Sequence, residues 1–253
     1  ELAWLSDLRG TAWSRFIEVG MPVERRGNEK WKYTNVAPIA NLNFRYLTDP
    51  GSNGHITRED VVSNAPWDNK WVNLVCVDGC YSDSLSNQLM ENGIYAGGLK
   101  NVPESHTELL RAHLGQHLSA DDDAFASLNT AFLHDGVFIN VPEEVAVPEI
   151  LNIVFVSTGK GSPLVTYPRV LIIAGRNSSL TVHESYVSLS ETVGFTNAVS
   201  EIVLAEGAQV QHSRLLIENE LAYHVGISRV YQSEYSEFTS CSFTRGAKLG
   251  RSD

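Results

Sequence analysis

Two stretches late in the chain, Ala198-Val-Ser-Glu-Ile-Val-Leu with Ala208-Gln-Val-Gln-His212, and Gly226-Ile-Ser-Arg-Val-Tyr-Gln with Ser236-Glu-Phe-Thr-Ser240, align at an offset of 28 residues. A fainter copy lies at Val170-Leu-Ile-Ile and Leu180-Thr-Val. A repeat in the range of about 20–50 residues signals a stacked architecture. Short β-branched runs without intervening helices make the stacked unit a β-solenoid coil, each coil burying its inward residues against the next. Val199, Ile202 and Val210, with their mates Ile227, Val230 and Phe238, are expected to face inward. A β-sandwich is the alternative that also gives short alternating strands.

Toward the N-terminus the same texture extends back to Gly136, through Val137-Phe-Ile-Asn-Val, Ile150-Leu-Asn-Ile-Val-Phe-Val, Val170-Leu-Ile-Ile and Glu201-Ile-Val-Leu. Before it, residues 104–133 carry helical spacing in Leu109, Leu110, Leu114 and Leu118, then Phe125, Leu128 and Phe132, with a new N-cap expected near Asp121. Trp71-Val-Asn-Leu-Val-Cys-Val reads as a strand ended by Asp78-Gly79, and Thr57 with Asp60 as a capping box after the turn cluster at 49–54. The first helix runs through Leu5, Leu8, Ala12, Phe16 and Ile17, with Ser6 or Asp7 as its cap and Gly20 and Pro22 as its stop. Trp31-Lys-Tyr-Thr suits an extended or turn segment packed against that helix. The predicted organisation is a mixed, partly helical α/β region over 1–135 and a mainly β solenoid over 136–253.

The 253 residues are 43% hydrophobic and 19% charged, enough to bury a sizeable core. A formal net charge of −11 disfavours nucleic acid and anionic membrane surfaces as partners. No apolar run reaches the roughly 18 residues of a membrane span, and the opening residues lack a secretory signal pattern. Three cysteines are too few for a disulfide framework and agree with a reducing compartment. Asn177-Ser-Ser matches a glycosylation triplet and is read as chance.

Several groups invite a chemical reading. Cys76 and Cys80 flank a turn without the further ligands that zinc or a cluster needs, and are read as core thiols. Cys241 lies in Phe238-Thr-Ser-Cys-Ser-Phe243, where alternation sets Phe238 and Ser240 on one face and Cys241 and Phe243 on the other; a buried small hydrophobe is the plain reading and a transient thiol ligand the sharper one. His113 and His117 are spaced to share one helix face, with His106 or Asp121 as a third metal ligand; a boundary face is the plainer meaning. Thr158-Gly-Lys-Gly-Ser162 departs from the phosphate-loop pattern and reads as a turn. Glu201, Glu206, Glu234 and Glu237 are the carboxylates on which a carbohydrate-active β-helix enzyme would draw.

Four segments together resemble one family: Leu8-Arg…Ala12-Trp…Phe16…Gly20-Met-Pro-Val-Glu-Arg-Arg, Glu29-Lys-Trp-Lys-Tyr-Thr, Leu74-Val-Cys-Val-Asp-Gly, and the tract from Arg169 to Asp253. They look like SufD of the SUF iron–sulfur cluster assembly machinery, part of the SufB/SufD family. Glu206-Gly-Ala-Gln-Val-Gln-His212 and Tyr223-His224 add to the likeness. The resemblance implies a right-handed parallel β-helix after an N-terminal helical region. It also implies a scaffold role, without enzyme activity of its own, in iron acquisition and cluster formation. The implied partners are a SufC-like ATPase and a SufB-like scaffold, with a homodimer as the self-assembling alternative, in bacterial cytoplasm or plastid stroma. An iron–sulfur cluster would be present only transiently, at the level of the complex, so no cofactor and no catalytic, cofactor-binding or metal residue is assigned to this chain. The chain as given is expected to be an N-terminal portion, because the family continues through further coils into a C-terminal helical region. His212 and His224 match histidine positions of the resemblance, and are expected to line one face of consecutive coils, as satisfied hydrogen-bonding groups or as a passage for iron.

Overall fold

The computed structural model describes residues 3–23, 29–48, 56–118, 124–160 and 162–253. Helix α1 spans Ala3–Val19 and ends where Gly20, at φ +68°, donates its N–H to Phe16 O. A left-handed glycine just past the last turn is the usual helix stop, because it lacks the Cβ that makes this conformation costly. The expected cap is corrected: Ser6 and Asp7 lie inside α1, since the helix is already formed at Ala3. A 3₁₀ turn at Glu29–Trp31, helix α2 (Ala37–Ala40), strand β1 (Arg45–Tyr46) and helix α3 (Arg58–Val62) follow. Helix α3 carries the predicted capping box, with Asp60 N–H on Thr57 Oγ1 at 3.2 Å and Thr57 N–H on Asp60 Oδ2 at 2.9 Å. The turn cluster at 49–54 and the cap at Asp121 lie outside the described residues.

Strands β2 (Val72–Val77) and β3 (Cys80–Tyr81) form a hairpin through Asp78 and Gly79, both at positive φ. Strands β4 (Leu89–Glu91) and β5 (Ile94–Gly98) form a second hairpin, and helices α4 (Glu104–His113) and α5 (Ala124–Ala131) complete the N-terminal part.

The solenoid follows as about four coils. Strands β6 (Val137–Val141) and β7 (Ala146–Ser157) make the first coil, and β8 (Leu164–Thr166), β9 (Arg169–Ala174) and β10 (Ser179–Ser188) the second. Strands β11 (Gly194–Leu204) and β12 (Gln209–Glu218) make the third, β13 (Tyr223–Gln232) and β14 (Glu237–Gly246) the fourth, and β15 (Leu249–Ser252) begins the next. One parallel sheet runs β6-β9-β11-β13-β15 and the other β7-β10-β12-β14. The register pairs Ala198 with Gly226 and Val210 with Phe238, the repeat seen in the sequence. At the first coil, β5 pairs antiparallel with β6 and β2 parallel with β7, so the N-terminal region supplies the outer neighbours of both sheets.

Inward side chains such as Ile139, Leu151, Ile172, Val182, Ile202 and Val210 fill the space between the sheets. Val199 and Ile227 do not join them. They point outward and are buried beneath the N-terminal elements with Trp31 and Phe125. The cause is the two-residue period of a strand, which cannot place Val199 and Ile202 on one face. Val230, paired with Ile202 on the inward side, remains 37% exposed, and Phe238 is partly buried against the interior.

The Trp31 segment also packs differently from expectation. Its ring lies 4.9 Å from Phe125 of α5, and the Arg251 guanidinium of β15 stacks over it at 4.0 Å while donating to Thr34 Oγ1. Phe16 of α1 only borders this cluster. The Glu29–Thr34 stretch therefore straps the N-terminal region to the last strand of the solenoid.

One turn recurs in every coil. Glu144, Asn177, Gly207 and Tyr235 occupy its left-handed position, with φ between 53° and 66°. Glu144 N–H bonds Arg176 O, Asn177 N–H bonds Glu206 O, and Gly207 N–H bonds Glu234 O, so these turns form a ladder of their own. Asn177 is held further by donating to Glu144 Oε1. A left-handed conformation costs an ordinary residue about 1–2 kcal/mol, and glycine and asparagine escape most of it. Tyr235 bears that cost on a side chain that is 84% exposed and makes no compensating burial. Tyr235→Asn should therefore stabilise the protein by about 0.5–1 kcal/mol and raise Tm by about 2 °C, as read by thermal unfolding.

Candidate functional site

The interior of the solenoid changes character along its axis. In register, Ile153 of β7 is followed by Glu184, then Arg214, then Ser242. A neighbouring column runs Leu151, Val182, His212, Ser240, and on the opposite sheet Val170 gives way to Ser200 and Ser228. The first coil is thus apolar inside, and the second to fourth coils carry polar and charged groups on strands whose remaining inward residues are hydrophobic.

Glu184 is the centre of this cluster and is fully buried. Its carboxylate accepts from Arg214 Nε at 3.1 Å and Nη2 at 2.8 Å, from His212 Nε2 at 3.0 Å, from Tyr186 Oη at 2.5 Å and from Ser200 Oγ at 3.0 Å. Burial works to raise its pKa, but the Arg214 charge and the hydrogen bonds from His212 and Tyr186 outweigh it and hold the carboxyl well below the usual range. Burial opposes the charged form of Arg214 as well, yet Glu184 raises its pKa. Burial and then the Glu184 charge push the Tyr186 phenol well up, so it remains a donor.

A second buried pair lies beside it. Glu218 accepts from His224 Nδ1 at 2.8 Å and from Thr196 Oγ1 at 2.6 Å, and the His224 ring meets Tyr186 edge-on at 4.7 Å. His224 Nε2 is buried without a partner among the described residues. A Cβ at Gly226 would come within 3.0 Å of that nitrogen and 3.3 Å of Arg214 Nη1, which explains why the smallest residue stands there. His212 and His224 therefore both face inward, but across the interior on opposite sheets and not along one face. Each is bonded to its own carboxylate.

The remaining candidates are dispersed. Cys76 and Cys80 are buried, and burial followed by Asp135 pushes the Cys76 thiol well up, as suits a core thiol. Cys241 is exposed, contrary to the plain reading of a buried small hydrophobe, because it projects from the outer face of β14 where no other element covers it among the described residues. Helix α4 ends at His113, so His117 lies beyond it; Gly115, at φ +78°, turns the chain back and brings the rings to a stack with Nδ1 and Nε2 3.0 Å apart. Burial and the His117 charge lower the His113 pKa. His106 bonds Ser105 and Gly93 O instead, and Asp121 lies outside the described residues. Among the described residues no three His, Cys, Asp or Glu side chains converge as a metal site. Thr158 and Gly159 lie in the turn after β7, where Thr158 donates to Asp78 through both its N–H and its hydroxyl.

The carboxylates Glu201, Glu206, Glu234 and Glu237 do not form a groove. Glu201 is buried beneath the helices, Glu206 and Glu234 sit in the stacked turns, and Glu237 opens β14. Sequence reasoning passed over Glu184, Arg214, Glu218 and Arg169. For Glu184, Arg214 and Glu218 the available signal was a charged residue at an even position within an otherwise hydrophobic inward row; Arg169, on the outward row of β9, carried no such signal.

Removing one partner of a buried ion pair leaves a bare charge and costs about 3–5 kcal/mol. Arg214→Met should lose about that much in urea unfolding, and adding Glu184→Gln should recover a measurable part. Because the folded pKa of Glu184 is depressed, its stabilising contribution is full above the unfolded carboxylate value of about 4.3 and is lost as pH falls toward the folded value. The stability gap between the native chain and Glu184→Gln should therefore be widest near neutral pH and shrink below about pH 4.3.

The profile of the SufBD protein N-terminal region matches residues 1–153, and that of the SUF system FeS cluster assembly SufBD core domain matches residues 155–253. An iron–sulfur cluster assembly SufBD family protein of Synechocystis is 28% identical over 187 residues, covering 70% of this chain and 41% of the relative. The chloroplastic protein ABCI7 of Arabidopsis thaliana is 25% identical over 238 residues, covering 91% and 48%. The iron–sulfur cluster assembly protein SufD of Bacillus subtilis is 26% identical over 223 residues, covering 84% and 48%. The chain spans about half the length of the curated relatives it matches. With both profiles matched in tandem on a helical N-terminal region and a β-solenoid, the chain belongs to the SufBD family of iron–sulfur cluster assembly proteins.

Proposed function

We propose that this chain is a SufD-type scaffold subunit that contributes shape and interface to iron–sulfur cluster assembly and has no catalytic activity of its own. The observation that carries the reading is the consecutive match of both SufBD profiles across nearly the whole chain. The similarity to SufD of B. subtilis favours the SufD type. Its partners in this reading are a SufC-like ATPase, which supplies the nucleotide hydrolysis, and a SufB-like scaffold. Iron and sulfide are cargo joined at the level of the complex, and the chain itself carries no resident cofactor.

The interior supports a scaffold reading on physical grounds. Every oxygen of the Glu184 carboxylate is already engaged by protein donors, so it is ill placed to act as an acid or base on a substrate. No helix among the described residues is long and apolar enough to cross a membrane. Bacterial cytoplasm or plastid stroma is the proposed site of action, in keeping with bacterial and chloroplastic relatives.

Affinity purification of the native, full-length gene product with mass spectrometry of its companions tests the proposal. Recovery of an ATPase of the SufC type together with a SufB-like scaffold is the expected outcome. Recovery of the protein alone, or of copies of itself only, would overturn the assembly role in favour of a self-assembling solenoid.

A further inference from the structure

A cavity of about 490 Å³ opens between α1, α4 and the segments at 99–100 and 133–135. Its apolar walls are Trp4 and Leu5 from α1, Leu110 and Leu114 at the end of α4, and Leu99 and Leu133. All six belong to, or border, the hydrophobic cluster that seats these helices on the outer face of β6 and β9. The volume lies in the range of small-molecule sites, which combine apolar walls with a few convergent polar groups.

The polar groups are Arg9, Lys100, His134 and Asp135. Asp135 is spoken for: its oxygens accept from Tyr81 N–H at 3.0 Å and Gly136 N–H at 2.9 Å, and burial raises its pKa. Of the other three, Arg9 and Lys100 are cationic and His134 offers an imidazole nitrogen. Lys100 Nζ lies 2.7 Å from His134 Nε2, which is also 2.8 Å from Thr48 O. Lys100 is exposed, so its ammonium can turn to a ligand without leaving a buried group unsatisfied. Also in the lining, the Trp4 indole N–H is buried with no acceptor among the described residues. The site thus offers an apolar chamber, a cationic mouth and one idle donor.

We propose that this cavity binds a small amphipathic anion, an alkyl chain with a carboxylate head, with the chain among the leucines and the head at Lys100 and His134. A cationic head is excluded by charge at the mouth, and a neutral one forgoes the charge-assisted hydrogen bonds. The site stands apart from the solenoid interior and does not depend on the scaffold reading above.

The test is isothermal titration of the full 253-residue chain with decanoate, decanol and decyltrimethylammonium, each below its aggregation concentration, together with tryptophan fluorescence. Decanoate should bind saturably at one site, decanol about fivefold or more weakly, and the cation not at all. Lys100→Gln, at an exposed position, should bring decanoate down to the decanol level and leave decanol unchanged. Leu5→Trp, at a half-buried position on the cavity wall, should abolish binding of both, with circular dichroism confirming that it folds. Absence of saturable decanoate binding, equal binding of all three heads, or undiminished affinity in Leu5→Trp would each overturn the proposal.

Discussion

Glu184 sits fully buried between two parallel sheets, away from bulk solvent, and much of the surrounding sequence answers that constraint. A carboxylate out of water is tolerated only when a counter-charge and enough donors replace its hydration. Arg214 supplies the charge from the next coil, directly in register, and His212, Tyr186 and Ser200 supply donors from the flanking positions. Because the donors come from β10, β11 and β12, the network can close only when the second and third coils are stacked in one register. A slip by one residue would turn the inward charges outward and the outward valines inward. In this chain the buried ion pair is therefore best understood as a register pin, which an all-hydrophobic interior would not provide.

The same device recurs outside the solenoid. Arg169 of β9 and Glu201 of β11 form a fully buried pair on the outer face of the sheet beneath α4 and α5. Arg169 also donates to Asn129 and Thr130 of α5, while Glu201 accepts from the N–H groups of Gly115 and His117 just past α4. Asn129 and Asn197 complete the seam by bonding backbone carbonyls across it. The apolar clusters around Phe125 and Leu110 supply burial, which is non-directional, and these polar contacts set the position of each helix on the sheet. With β2 and β5 hydrogen-bonded to the first coil, the N-terminal region and the solenoid share both sheets and a common interface.

The proposed scaffold role would call for a shape that holds while partners act, and a solenoid pinned in register within its core and along its helical flank offers one. The graded interior bears on this as well. The apolar first coil lies next to β2 and β5, whereas the polar side chains crowd toward the third and fourth coils, where Ser240 and Ser242 are exposed. Exposed Cys241 lies on the same strand, on its outer face. Inside the stack, hydrogen-bonding capacity thus grows with distance from β2 and β5.

By itself, the sequence determined the class of architecture and most of the local structure. The 28-residue repeat dictated stacked coils, Thr57 and Asp60 a capped helix, Gly20 the end of α1, and Asp78-Gly79 the end of β2, because each depends on neighbours in the chain or on a period. Tertiary structure decided which buried face each residue serves. Val199 and Ile227 are as hydrophobic as Ile202, but they lie beneath α5 because helices cover that side of the sheet, a second buried face that a two-residue period cannot label as inside or outside. Cys241 is exposed because no element among the described residues covers β14 there, and the pairing of Glu184 with Arg214 and of Arg169 with Glu201 spans 30 and 32 residues, a matter of coil length and register that no local pattern reports. His113 and His117 meet because Gly115 bends the chain after the helix has ended, so their four-residue spacing predicted the contact and misassigned its cause.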